Sequence, residues 1–205
     1  MKEGNLMPNI KNVILDMGNV LLDYNPEAIL NAFFETKEDK DLIDRELFQG
    51  PEWEQGDLGH ISNTERFDGV SKRVPVRLHN DLWQCIHGWG RYMIPLPGAK
   101  EFCDYIKQKG YGIYILSNAC NEFYHYFPRH YDLDFFDGIV VSSDVHIVKP
   151  DPRIYKHLLA AYDRKPEECL FIDDREDNVR AAADIGMRAR IFRNDFDIIR
   201  EEYQL

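Results

Sequence analysis

Asn12-Val13-Ile14-Leu15-Asp16 is a short apolar run that ends in an acid, and Cys169-Leu170-Phe171-Ile172-Asp173-Asp174 repeats the pattern near the other end of the chain. Similar runs ending in small residues occupy Gly112 to Ser117 and Gly138 to Ser142, and a further apolar run spans Met187 to Phe192. Apolar residues without alternation mark strands buried on both faces, the signature of a parallel sheet. Helix-period segments fall between them, at Ala99 to Lys109, Asn121 to Phe127, Arg153 to Tyr162 and Asp177 to Ile185. That alternation predicts an α/β fold with a doubly wound, Rossmann-like parallel sheet. Local punctuation agrees: Asp151-Pro152 starts a helix with proline in its first turn, and Gly186 closes the helix before the last strand.

The first strand departs from this rhythm. It is followed by roughly 70 residues of helical pattern with no convincing strand, far more than a crossover needs. Tyr24 to Met93 is therefore read as an inserted α-helical cap, leaving residues 1–23 and 94–205 as the α/β core. Ser62 and Glu65 have capping-box spacing ahead of Phe67 and Val70, so a helix starts after the turn Gly59-His60-Ile61. Two prolines and a glycine at Ile94 to Gly98 make a hinge, and two lobes on two short links make a cleft that opens and closes. Trp53, Trp83 and Trp89 are expected to pack the cap helices together, and Arg66, Lys72, Arg73 and Arg77 to form a solvated face. His60, in the cap turn, is a candidate substrate contact.

Composition narrows the partners. The chain has 205 residues and a formal net charge of −11, and such a field opposes nucleic acid and anionic membrane, while a small anion in a locally positive pocket remains compatible. Cys85, Cys103, Cys120 and Cys169 show no CxxC pair, so neither zinc nor a disulfide scaffold is expected and a cytoplasmic setting fits. Met1 to Ile10 lacks a basic region followed by an apolar one and reads as a loose tail, and no run is long enough to span a bilayer. Oligomeric state has no signature here.

In doubly wound sheets ligands bind beyond the carboxyl ends of the strands. Those ends carry Asp16, Ser117 with Asn118, Ser142 with Ser143, and Asp173 with Asp174. Taken singly, each reads as a turn or cap residue. Three carboxylates drawn into one crevice repel unless a cation lies among them, and hard oxygen ligands suit magnesium. Lys149, before Pro150, adds a fixed positive charge.

Four segments in this order resemble the motifs of the haloacid dehalogenase superfamily: Val13-Ile14-Leu15-Asp16-Met17-Gly18-Asn19-Val20, Ile115-Leu116-Ser117-Asn118, Lys149-Pro150, and Phe171-Ile172-Asp173-Asp174 followed by Asn178. The resemblance implies a magnesium-dependent phosphatase acting on a small phosphorylated metabolite. Asp16 is then the nucleophile that forms an aspartyl-phosphate, Ser117 and Asn118 bind phosphate oxygens, and Lys149 neutralises charge on the phosphoryl group. Mg2+ is held by Asp16, the Gly18 carbonyl and Asp174, with Asp173 beside it. One position departs from the pattern. Phosphatases of the superfamily usually carry an acid–base aspartate two residues after the nucleophile, and this chain has Gly18. Its absence penalises poor leaving groups, and Asp23, His60 or water is expected to take the role. The DxGNV form is similar to a subgroup containing α-D-glucose 1-phosphate phosphatases, and the Asp-Asp pair to the phosphatase domain of soluble epoxide hydrolase, which points to sugar 1-phosphates or aryl phosphates. Three rivals share the residues: a hydrolytic 2-haloacid dehalogenase, a non-catalytic phosphometabolite-binding protein, and a phosphoglucomutase-like transferase.

Overall fold

The computed structural model describes residues 10–205, so the loose tail expected at the N-terminus falls outside the described residues save for Ile10. The first apolar run is β1 (Asn12–Leu15), buried along its length. A two-residue strand β2 (Leu22–Asp23) leads into α1 (Pro26–Phe33) and α2 (Lys37–Ile43), then a π-helical turn at Asp44–Phe48. Next come α3 (Pro51–Asp57), α4 (Asn63–Val70) and α5 (His79–Gly88), and the chain returns through β3 (Ile94–Pro95). The remainder alternates: α6 (Ala99–Gln108), β4 (Gly112–Ser117), α7 (Phe123–Tyr126), β5 (Gly138–Val141), α8 (Ser142–Val145), α9 (Pro152–Ala161), β6 (Cys169–Asp173), α10 (Glu176–Asp184), β7 (Arg188–Ile191) and α11 (Phe196–Tyr203).

The five longer strands form one all-parallel sheet in the order β5-β4-β1-β6-β7, the doubly wound arrangement expected. The winding reverses between β1 and β6, and that reversal opens a crevice at the strands' carboxyl ends. Both faces of the sheet are covered. Val13, Leu15, Ile113, Ile115, Leu170 and Ile172 face one apolar cluster, while Ile14, Tyr114, Leu116 and Phe171 face the other with α9 residues Ile154, Tyr155 and Leu158. Burial of each such side chain stabilises the fold by about 1.5–3 kcal/mol against exposure, which is why short strands suffice.

Helices α1 to α5 lie between β1 and the rest of the sheet in sequence, and both links to them run through one ribbon. Here β2 and β3 pair antiparallel, with Leu22 opposite Pro95 and Asp23 opposite Ile94. The start of α4 has the expected capping box: the Ser62 hydroxyl accepts from the Glu65 amide, and the Glu65 carboxylate accepts from the Ser62 amide. Asp151 caps α9, and Gly186 takes φ +94° after α10.

Two expectations need correction. The helix foreseen at Asn121 to Phe127 is a single turn, α7, followed by a 3-10 turn through Pro128, whose ring cannot continue an α-helix. The basic stretch is no uniformly solvated face: Arg66 is only 1% exposed and lies over the Trp53 ring, Arg73 bridges Glu46 and Glu52, and Arg77 pairs with Asp39. Charge spacing alone does not reveal which cations a neighbouring helix will cover.

Candidate active site

Four of the anticipated residues meet at the mouth of the crevice between β1 and β6. Lys149 is buried, and its Nζ lies 2.8 Å from Asp16 Oδ1 and 2.7 Å from Asp173 Oδ2, while donating to the Leu116 carbonyl at 2.8 Å. A cis peptide joins it to Pro150. Asp16, Asp173 and Asp174 each place one carboxylate oxygen within 4.8 Å of the others. Their supports differ. Asp16 Oδ1 accepts from the Met17 amide at 2.7 Å. Asp173 accepts from Lys149, from the Arg175 amide and, on both oxygens, from Asn178 Nδ2 at 3.0 Å. Asp174 accepts from Asn19 Nδ2 at 3.0 Å.

This crowding shows in the protonation equilibria. Burial pushes the Asp16 carboxyl up to about 7, against the attraction of Lys149 and with the repulsion of Asp173 and Asp174. Asp174 is raised as well, by burial first, with the Asn19 hydrogen bond opposing it. Desolvation disfavours the Lys149 ammonium, but Asp16 and Asp173 outweigh it and hold the lysine above its usual value. Three carboxylates beside one lysine leave negative charge uncompensated, and a hard divalent cation is the partner such a donor set suits. The residues present therefore fit a magnesium ion.

The remaining anticipated residues are less uniform. Ser117, at the end of β4, is 1% exposed and its hydroxyl has no hydrogen-bond partner among the described residues. A buried hydroxyl without a partner costs free energy, so Ser117 has a donor to spare, although it is its neighbour Asn118 and not Ser117 itself that lines the cavity. Asn118 lines the cavity, but its side chain is engaged: Oδ1 accepts from the Lys149 amide at 2.7 Å and Nδ2 donates to the Lys149 carbonyl at 2.9 Å. It thus holds the Lys149 loop. Gly18 lines the cavity without steric need for glycine, since a Cβ there would meet nothing closer than Tyr24 Cβ at 3.9 Å. His60 lies outside this group, exposed, near Gln55 and stacked on His146 at 5.6 Å. Asp23 sits in the β2–β3 ribbon and does not line the cavity either.

The cavity above the carboxylates has a volume of about 360 Å³. Its floor comes from the sheet and its walls from the helical segment: Tyr24, Phe48, Trp53, Asp57 and Trp89, with Tyr126 from α7. Phe48 reaches it from the π-helical turn, a distortion frequent at functional sites. From the sequence, Trp53 and Trp89 are expected first to pack the cap helices, with an aromatic wall against a sugar as the alternative. They do pack, at 5.3 Å between rings, and they also line the cavity, whereas Trp83 is 38% exposed. Asp57, Asn19 and Tyr126 were given no role. Asn19 had a local signal in its place beside Gly18; Asp57 had none, because nothing in a helical repeat tells which residue will face the sheet.

Comparison with known proteins agrees with this geometry. Residues 10–186 match the haloacid dehalogenase-like hydrolases, and the chain belongs to that family. The sesquiterpene phosphatase astK of Aspergillus oryzae is 28% identical over 86% of this chain and 87% of its own. Among solved structures, a family enzyme from Bacteroides thetaiotaomicron, bt-2542, in a mutant form bound to magnesium and inorganic phosphate, superposes with a TM-score of 0.71 at 22% identity, covering 90% of this chain and 94% of that one. A dehalogenase with an intermediate complex also reaches 0.71, at 20% identity over 92% and 87%. At such identities these structures establish the shared fold.

Proposed function

We propose that this protein is a magnesium-dependent phosphatase that hydrolyses a small phosphomonoester through an aspartyl-phosphate on Asp16. The observation that carries the reading is the contact of Lys149 with Asp16 and Asp173 beside a third carboxylate, Asp174. Asp16 attacks phosphorus, and the leaving oxygen departs with the bonding pair; water then attacks the acyl phosphate and returns Asp16. Lys149 offsets charge on Asp16 and the phosphoryl oxygens. The Ser117 hydroxyl donates to one of those oxygens, and Asn118 holds Lys149 in place. Asp173, gripped by Asn178 and Arg175, orients the lysine. Asp16, the Gly18 carbonyl and Asp174 hold Mg2+, with Asp173 beside it, and the ion supplies Lewis-acid stabilisation of the phosphoryl charge. The helical segment 24–93 acts as the cap, closing the cavity against water.

The leaving group packs on Tyr24, Trp53 and Trp89, whose faces suit the C–H side of a sugar ring or an aryl group. Sugar 1-phosphates and aryl phosphates are the substrate class proposed. The phosphatase relative supports the reaction class. Dehalogenation is the second reading, favoured by the shared fold and by Gly18. It is disfavoured by three clustered carboxylates, which would repel a haloacid carboxylate.

Hydrolysis of 4-nitrophenyl phosphate, with magnesium and with chelator, for the wild type beside Asp16→Asn tests the proposal. Metal-dependent release abolished by the substitution is the expected result. Chelator-insensitive chloride release from 2-chloropropionate would establish the dehalogenase instead, and saturable phosphate-ester binding with no turnover the binding protein.

A further inference from the structure

Gly18 leaves the reaction without the acid that the leaving oxygen needs, so every titratable group around the cavity is a candidate replacement. Asp23 and His60 do not line it. Tyr24 and Tyr126 do, but burial raises both hydroxyls so far that they donate hydrogen bonds without exchanging a proton, and Lys149 and Asp174 are committed to the phosphoryl group and the metal. Asp57 remains.

Building on the phosphatase reading, we propose that Asp57 is the general acid and base of this enzyme, reaching the reacting oxygen from the helical wall of the cavity that Gly18 also lines. Asp57 is the last residue of α3 and lines the same cavity as Asp16, Lys149 and Asp174. Its backbone is tied to the core: its carbonyl accepts from the Ser142 Oγ at 2.6 Å, and that hydroxyl accepts from the Ala119 amide at 3.0 Å. Ala119 lines the cavity too, so the tie fixes Asp57 against the site rather than against solvent. The carboxylate itself takes part in no hydrogen bond and no ion pair among the described residues. Arg66, the cation nearest in effect, donates instead to Asn63 Oδ1 and the Glu52 carbonyl and stacks on Trp53.

An unengaged carboxyl facing a reactive cavity is free to give and take a proton. Its protonation equilibrium matches that role, since burial pushes Asp57 up to about 7, with Arg66 opposing and Glu54 assisting, so both forms are populated near neutrality. The aromatic hydroxyls of Tyr24 and Tyr126 and the Cys120 thiol, all held neutral, are the other titratable groups that feel its charge. In the first step the Asp57 acid gives its proton to the ester oxygen as the P–O bond breaks and the Asp16–phosphorus bond forms. In the second, the Asp57 carboxylate takes a proton from the attacking water while the acyl phosphate bond breaks towards Asp16, which restores both residues.

Asp57→Asn is the test, with two esters of similar shape: 4-nitrophenyl phosphate, whose phenolate leaves unaided, and phenyl phosphate, whose phenolate needs a proton. Expected for the variant is a fall in kcat/KM of about 100-fold or more on phenyl phosphate against a change within about threefold on the nitrophenyl ester. The nitrophenyl ester should also show a burst of one nitrophenolate per site, as phosphorylated Asp16 accumulates for want of a base. A thermal melt of each preparation sets the folded fraction used to normalise the rates, and Asp57→Ser repeats the comparison in a smaller side chain. Equal loss on both esters after normalisation, or no loss on either, overturns the assignment alone. A wild type inert towards both esters overturns the phosphatase reading and the assignment with it.

Discussion

The acids of this site owe their state to their own surroundings more than to their positions in the chain. Asp16 and Asp174 are raised by burial among like charges, and Asp57 chiefly by burial, with Arg66 opposing and Glu54 assisting. For Asp57 the consequence for stability has a definite sign. Its folded value of about 7 lies above the ordinary 3.8, so the stabilisation from its neutral form is complete below pH 3.8 and lost as pH rises through 7. Asparagine is neutral throughout. Asp57→Asn should therefore gain stability relative to wild type between pH 5 and pH 8, by about 1 kcal/mol after allowance for partial exposure, or roughly 2–4 °C in Tm. Melts at the two pH values check it, and a difference independent of pH would show that the carboxyl is solvated. Strand-end residues such as Asp16 and Asp174 were legible in sequence because a parallel strand delivers its last residue to one known edge, and Lys149 was legible by its place before Pro150 in the connection after β5. Asp57 was not, since a helix end faces wherever the packing of neighbouring helices turns it.

At the scale of elements, the turn from α3 to α4 decides how the helical segment meets the sheet. Gly59 has φ +68°, and a Cβ there would lie 2.3 Å from the Ser143 carbonyl of α8. The same turn is fastened by Ser142 to Asp57, by His146 Nδ1 to the Leu58 carbonyl at 2.7 Å, and by Asn63 to Glu122 at 3.0 Å. Gly59→Ala adds left-handed strain of about 1 kcal/mol and forces this contact apart. A lowered kcat/KM, by about tenfold or more, is expected with a Tm drop of only a few degrees, since the apolar core is untouched. Unchanged kinetics would mean that the contact does not govern closure. Ser142→Ala should act in the same direction and more weakly, leaving the Ala119 amide without its acceptor. The capping box of α4 and all five parallel strands were readable from local pattern. The burial of Arg66 was not, because it depends on Gly56: a Cβ there would lie 1.7 Å from Arg66 Nη2, so the arginine fits only where that helix lacks a side chain.

Over the whole molecule, a net charge of −11 meets a site where one lysine pairs with two of three clustered carboxylates. Folding without a cation must bring these charges together, so a divalent ion that binds only the folded state should stabilise the entire chain by mass action. At a magnesium concentration about 100 times the dissociation constant the gain is about 2.7 kcal/mol, or roughly 5–10 °C in Tm for a domain of this length. Asp174→Asn should abolish most of that shift, and Asp57→Asn should leave it in place because Asp57 is not one of the proposed ligands. The comparison needs no substrate, so it separates metal binding from turnover. A magnesium shift that survives in Asp174→Asn would place the ion elsewhere on an acidic surface. Its loss in Asp57→Asn as well would mean that closure of the helical segment, rather than the carboxylates of the sheet, sets the affinity of the site.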